Sequence, residues 1–291
     1  MRVALVLCPL LLASCGGRAG LDVGSGATGS LPDGGGDAGH PIYAGVVVLS
    51  NVEAGTLGNS GGFADFQKGP PPGVGTCPGA ESCCCLQGHA LPSPGPYPDA
   101  GTVTVSGPGG GAVVMLMPTP MDFQGTWDLG DAWATLPGDY PFETAGFWDP
   151  GEAMHVSATG GAVHAFSGTL QTGALLSGVT PSLPSLSGPV SLVIDRTQPF
   201  HIAWDPEGLS DESVVLWLQQ FRSDGSLTCW CSVPDTAAEL TVDTSVLGQF
   251  DVQQLSAVIQ LERLITRTVS SDDAIVALVG EVAKNDEIAF Q

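Results

Sequence analysis

Positive charge is what this chain has least of. Lysine and arginine total 8 against 30 aspartates and glutamates in 291 residues, a formal net charge of −22. So few cations cannot neutralise a run of phosphates, which excludes a nucleic-acid-binding protein. Charged residues are only 13% of the chain, about half of the ~25% usual in a soluble domain. No apolar run reaches the ~18 residues of a spanning helix, which excludes a polytopic helical membrane protein. A chain that is 43% hydrophobic is nevertheless not simply disordered. What is abundant is glycine, 41 residues, and proline, 23, together about a fifth of the sequence. That composition favours many short elements joined by turns.

Residues 1–15 read MRVALVLCPLLLASC. Arg2 supplies a short positive start, and an apolar stretch to Leu12 follows, broken only by Cys8 and Pro9. The pattern is that of a secretory leader, too short to span a bilayer. Its end, Leu12-Ala13-Ser14-Cys15, resembles the lipobox of bacterial lipoproteins: leucine, two small residues, then cysteine. Cys8 lacks that context, because Leu7 before it is too large. The resemblance implies cleavage after residue 14 and acylation of Cys15, with the lipid bilayer as a partner through that residue. Several acyl chains anchor stably where one does not. Gly16, not aspartate, follows the cysteine. The resemblance then implies the outer membrane or cell surface, on the external or the periplasmic face.

Residues 15–41 are expected to be a flexible Gly-rich linker, since a segment with so few large apolar side chains cannot offset its ordering entropy. Its reach would be ~25–30 Å. Beyond it the pattern is β. Short apolar or alternating runs begin at Ala44, Thr102, Ala112, Met154, Val163, Val190, Phe200, Ser213, Leu227, Ala257 and Ile275, with Gly and Pro between them. Residues 257–269 alternate with period two, which predicts a half-buried strand rather than a helix. One helical turn is expected at 244–250. The fold class is therefore all-β, a β-sandwich in two modules, 42–180 and 188–291. Between them lies the polar, Pro-rich stretch SGVTPSLPSLSG. The second module resembles immunoglobulin and fibronectin-like sandwiches in length and strand rhythm, without their cysteine spacing.

Six further cysteines, Cys77, Cys83, Cys84, Cys85, Cys229 and Cys231, suit three disulfides in an exported protein. A bridge closing the loop between Cys77 and the 83–85 cluster is expected. Cys229 and Cys231 share one face of a strand. They pair with each other or with the cluster. A metal site from Cys83–Cys85 with His89 fits no standard zinc spacing, so no metal is expected.

Other chemical-looking motifs dissolve on inspection. Gly24-Ser25-Gly26-Ala27-Thr28-Gly29 matches a dinucleotide fingerprint but lies in the linker, with neither the strand nor the helix it requires. Gly58-Asn59-Ser60-Gly61-Gly62 resembles the nucleophile loop of chymotrypsin-fold serine proteases, yet too little chain precedes it to hold the other triad members. It reads as a polar hairpin loop. His155 and His164 are placed to face each other across a turn at Gly160-Gly161. Acidic pairs such as Asp205 with Glu207, or Asp272-Asp273, match no calcium loop. Trp127, Trp133 and Trp148 are interleaved with acids, which makes them a candidate glycan platform or else core fillers. Trp204, Trp217 and Trp230 fall in strands and are core candidates.

No coherent catalytic set emerges and no cofactor is implied. The expectation is a membrane-anchored lipoprotein acting as a non-catalytic surface or periplasmic module that binds a protein or a glycan. The alternative is an envelope hydrolase using paired carboxylates near the Trp127–Trp148 segment, with one carboxyl raised in pKa.

Overall fold

A computed structural model describes residues 43–54, 57–68, 83–88, 98–108, 112–115, 142–145, 148–183, 192–208, 211–222, 225–252 and 257–291. Cys15, the Gly-rich linker, Cys77, His40, His89, Trp127 and Trp133 lie outside those residues.

The protein is nearly all β, in three sheets. The largest has nine strands in the order β3 (Cys83–Gly88), β12 (Gly225–Pro234), β11 (Glu212–Arg222), β14 (Ala257–Ser270), β15 (Ala274–Phe290), β1 (Tyr43–Ala54), β2 (Leu57–Lys68) and β6 (Phe142–Ala145). The short β9 (Leu192–Ile194) joins the far end of β15 in parallel. Four strands, β5 (Ala112–Met115), β4 (Val103–Ser106), β7 (Ala153–Ala158) and β8 (Phe166–Gln171), form a second sheet. β10 (Phe200–Ala203) and β13 (Glu239–Val242) form a third. The helical turn expected at 244–250 is present as α1 (Thr244–Leu247).

Strand periodicity assigns each side chain of the large sheet to one of two faces. The first face carries Leu216, Leu218, Ile259 and Leu261 at one end, and Val47, Leu49, Ile265 and Leu278 at the other. Two cores cover it. The β10–β13 pair and α1 pack on the former through Ile202, Trp204, Leu240, Leu247 and Phe250. The four-stranded sheet packs on the latter through Val103, Val105, Met154, Val156, Phe166 and Leu170. Gly168 is the close approach between the sheets: a Cβ there would lie 2.5 Å from Val269 and 2.8 Å from Leu278. The second face carries Val48, Val215, Leu264, Ala277 and Val279, with Trp217 and Trp230 packed against them.

β14 departs from the half-buried strand its alternation predicts. Residues 257–265 are buried without interruption, Gln260, Glu262 and Arg263 included. A central strand whose two faces are both buried hides its polar positions along with its apolar ones.

The two expected modules share one sheet. β1, from before the expected boundary, runs parallel to β15 for eleven residue pairs, Tyr43↔Ala274 to Glu53↔Lys284. β3 pairs with β12 in the same sheet. An edge-exposed β15 would leave a row of amides and carbonyls unpaired, and β1 fills that edge. The C-terminal stretch is accordingly not a separate immunoglobulin-like sandwich. Nor is the Gly58–Gly62 motif a hairpin loop. It lies within β2, and Asn59–Gly62 pair with β1 on one side and β6 on the other. Ladder bonds on both sides overrule the local turn signal of those glycines.

Candidate functional site

The cysteines resolve first. Cys229 and Cys231 lie two apart on β12, directly opposite Cys85 and Cys83 on β3, and the bonds formed are Cys83–Cys231 and Cys85–Cys229. Both ladder rungs project into the first-face core, where Cys229 and Cys231 are fully buried. Cys84, one residue out of phase, is also disulfide-bonded. The expected short loop is therefore not closed by Cys83 or Cys85, and neither thiol is available to a metal with His89. Among the described residues no group of three or more His, Cys, Asp or Glu is placed to hold a metal ion.

The histidines do not face one another. His155 sits in β7 opposite Thr169, while His164 lies in the following connection with its Nδ1 2.7 Å from Asp273 Oδ1. Trp148 is 2% exposed and part of the core beneath the four-stranded sheet, so of its two readings the ring fills space and offers no stacking surface to a glycan. Trp204 is buried as expected. Trp217 and Trp230 are only half-buried, their rings 5.7 Å apart on the second face.

Two polar clusters remain, one on each face of β14, and sequence reading singled out neither. On the first face Arg263 lies between Leu261 of one core and Ile265 of the other, in the seam between the covering layers. Its Nε and Nη2 donate to Asp235 Oδ1 at 3.1 and 3.0 Å. Nη1 donates to the carbonyls of Ala174 and Leu175, and Nη2 to that of Asp205. Asp235, fully buried, also accepts from Trp204 Nε1 at 3.0 Å and from the backbone of Glu207 at 2.7 Å. Glu207 stands 3.7 Å from Arg263 and accepts from the Ala174 amide. Glu212, 3% exposed, adjoins this cluster. Burial, then the Glu207 carboxylate beside it, push its pKa up to about 8, with Arg263 opposing. The arrangement ties three chain segments to β14. Of the acids at 205 and 207, the Glu207 carboxylate takes part in it, while the Asp205 carboxylate accepts from the Ser177 hydroxyl.

On the second face Glu262 and Glu281 belong to neighbouring strands. Glu262 is directly opposite Ala283, and Glu281 is opposite Leu264, so the two carboxylates are diagonal neighbours. Asn285 is the other diagonal, opposite Gln260. Gln260 donates its amide to Glu262 Oε1. Ser50 of β1 lies beside Glu281. Burial is the main cause that holds Glu262 well above the usual carboxylate range, followed by the charge of Glu281. Burial lifts Glu281 to about 7, with the Ser50 hydroxyl acting the other way. Oε1 of Glu281 and Oδ1 of Asn285 are buried without a hydrogen-bond partner.

No protein-family model matches the chain, and no curated protein matches it.

Proposed function

We propose that the protein is a lipid-anchored, non-catalytic binding or structural module of the cell envelope, held outside the cytosol through acylated Cys15. The observation that carries this reading is the disulfide ladder Cys83–Cys231 and Cys85–Cys229. Such bonds persist in oxidising compartments and are rare in the cytosol. They agree with the leader and the Leu12-Ala13-Ser14-Cys15 motif at the N-terminus. A strongly acidic exterior would be repelled by anionic lipid heads, so acyl chains and not charge must hold the body to the bilayer. The partner is a protein or a glycan of the envelope.

The hydrolase alternative requires two carboxylates about 5–10 Å apart with one raised in pKa. Glu207 and Glu212 meet the second condition. However, Glu212 is 3% exposed and lies in the buried seam beside Arg263, away from any open surface where a substrate could reach it.

Metabolic palmitate labelling of wild type and Cys15→Ala tests the anchor. Label is expected in the wild type only, in a mature chain beginning at Cys15. Equal labelling of both would refute it. Pull-down from envelope extracts, with and without added glycans, then separates protein from sugar partners.

A further inference from the structure

We propose that the second face of the large sheet holds a divalent cation of calcium type, bound by Glu262, Glu281 and Asn285 around Ala283. Register brings these residues together. Glu281, Ala283 and Asn285 are successive same-face positions on β15, and Glu262 of β14 lies directly across from the small one in the middle. Alanine leaves room where a longer side chain would fill the gap between the two flanking ones.

All three ligands are more than nine-tenths buried, at 2, 5 and 1% exposure for Glu262, Glu281 and Asn285. A buried oxygen without a donor is costly, and a buried carboxylate without a counter-charge more so. Oε1 of Glu281 and Oδ1 of Asn285 are both in that condition. Among the described side chains the sheet supplies no cation to relieve it. Arg222, Arg263, Arg267 and Lys284 occupy first-face positions by register, on the far side of the backbone. The Gln260 amide is spent on Glu262 Oε1.

Two carboxylates balance the charge of one divalent ion. An all-oxygen set of carboxylates and amide, with the Ser50 hydroxyl next to Glu281, suits a hard cation and not zinc. Calcium tolerates irregular coordination better than magnesium, which demands a near-ideal octahedron. The ligands come from the two arms of the β14–β15 hairpin and not from one contiguous loop, so no calcium-loop pattern announces them. The site is independent of the anchor at Cys15 and stands or falls without it.

The test uses the full-length purified protein stripped with chelator. Terbium is added and tryptophan excited, since Trp217 is a diagonal neighbour of Glu262 through its opposite number Gln260. Sensitised emission is expected, displaced by calcium, and Glu281→Gln should weaken the affinity by about tenfold or more. In thermal melts calcium should raise the Tm of wild type. Chelated Glu281→Gln should melt at or above chelated wild type, because a like charge has gone, and calcium should then add little. Asn285→Ala, which leaves both charges, should also lose most of the calcium shift and serves if the first variant fails to fold. A wild-type Tm indifferent to calcium overturns the proposal, even if it rises in acid as a proton-sharing pair would. So does a calcium shift of equal size in the variants, which marks general binding to an acidic surface.

Discussion

Glu262 and Arg263 are adjacent in the chain, opposite in charge, 2% and 1% exposed, and separated by the sheet itself. Successive strand residues point to opposite faces, so these two chain neighbours cannot neutralise each other. Arg263 finds Asp235 on the first face, while Glu262 meets another acid, Glu281, on the second. The molecule thus has one buried polar cluster built around an ion pair, although both carboxylate oxygens of the adjoining Glu212 lack a hydrogen-bond partner, and one with no cation among the described residues. The former reads as architecture and the latter as a place for something to bind.

Replacing Arg263 by leucine should therefore be severe. Asp235 would remain buried with its main counter-charge gone, and the carbonyls of Ala174, Leu175 and Asp205 would each lose a donor. Removing one partner of a buried ion pair typically costs about 3–5 kcal/mol. Urea unfolding of Arg263→Leu should show a loss of that order. A loss of only a few tenths would mean the seam between the two cores closes without the guanidinium.

Glu212 makes a prediction of definite sign in pH. Its ordinary value is 4.5 and in the folded protein it is raised to about 8. Below pH 4.5 it is protonated in both folded and unfolded chains, and its contribution is fully present. As pH rises the unfolded chain releases the proton first, so stability falls until the folded group also ionises near pH 8. Over that window one proton corresponds to a slope of at most about 1.4 kcal/mol per pH unit. Glu212→Gln should flatten this part of the profile, matching wild type near pH 4 and exceeding it near pH 8. Parallel profiles from denaturant melts across pH would refute the assignment.

The sequence made the strands legible wherever they bury a continuous apolar run, as in β11, β12, β14 and β15, and it placed the turn at α1. Non-local pairing was the part it concealed. β2 is rich in glycine and reads as a loop until β1 and β6 flank it. β3, with the sequence CCCLQG, reads as a disulfide loop until β12 presents two cysteines in register. Both polar clusters were illegible for the same reason. Arg263 stood in the alternating pattern as a charge on the apolar face, between Leu261 and Ile265, and Glu262 as a residue on the opposite, more polar face. Only the burial of both faces of β14 makes them buried charges. The one local hint was that β14 and β15 are far longer than their neighbours, as central strands with partners on both sides tend to be.

The two disulfides between β3 and β12 should act almost as one. They close loops of sequence separation 148 and 144 that are nested and nearly identical. With either bond in place, the other closes only a few residues. In the loop-entropy picture the pair together contributes about 5–7 kcal/mol, whereas deleting either alone costs about 2 kcal/mol or less. Chemical denaturation of Cys85→Ser/Cys229→Ser, of Cys83→Ser/Cys231→Ser and of the quadruple variant should show strong non-additivity. Additive losses would indicate that each bond restrains a different part of the unfolded chain.

The packing of the four-stranded sheet on the large one turns on Gly168. A methyl group there would stand 2.5 Å from Val269 Cγ1 and 2.8 Å from Leu278 Cδ1, both on the underlying strands. Neither β14 nor β15 can retreat, because each is hydrogen-bonded on both sides. The added atom must push β8 outward or force the valine and leucine off their rotamers, at a cost of about 1–3 kcal/mol. Gly151 is the control: it lies in the turn just before β7, and nothing stands within 4 Å of its Cβ position. Its positive φ of 88° makes alanine strained there for a backbone reason alone. Val269→Ala should rescue Gly168→Ala, by vacating the clashing volume, and leave Gly151→Ala unimproved. Stability measured for the two doubles against their singles decides it, and a Gly168→Ala variant with wild-type stability would show that the two sheets are not in close contact at this point.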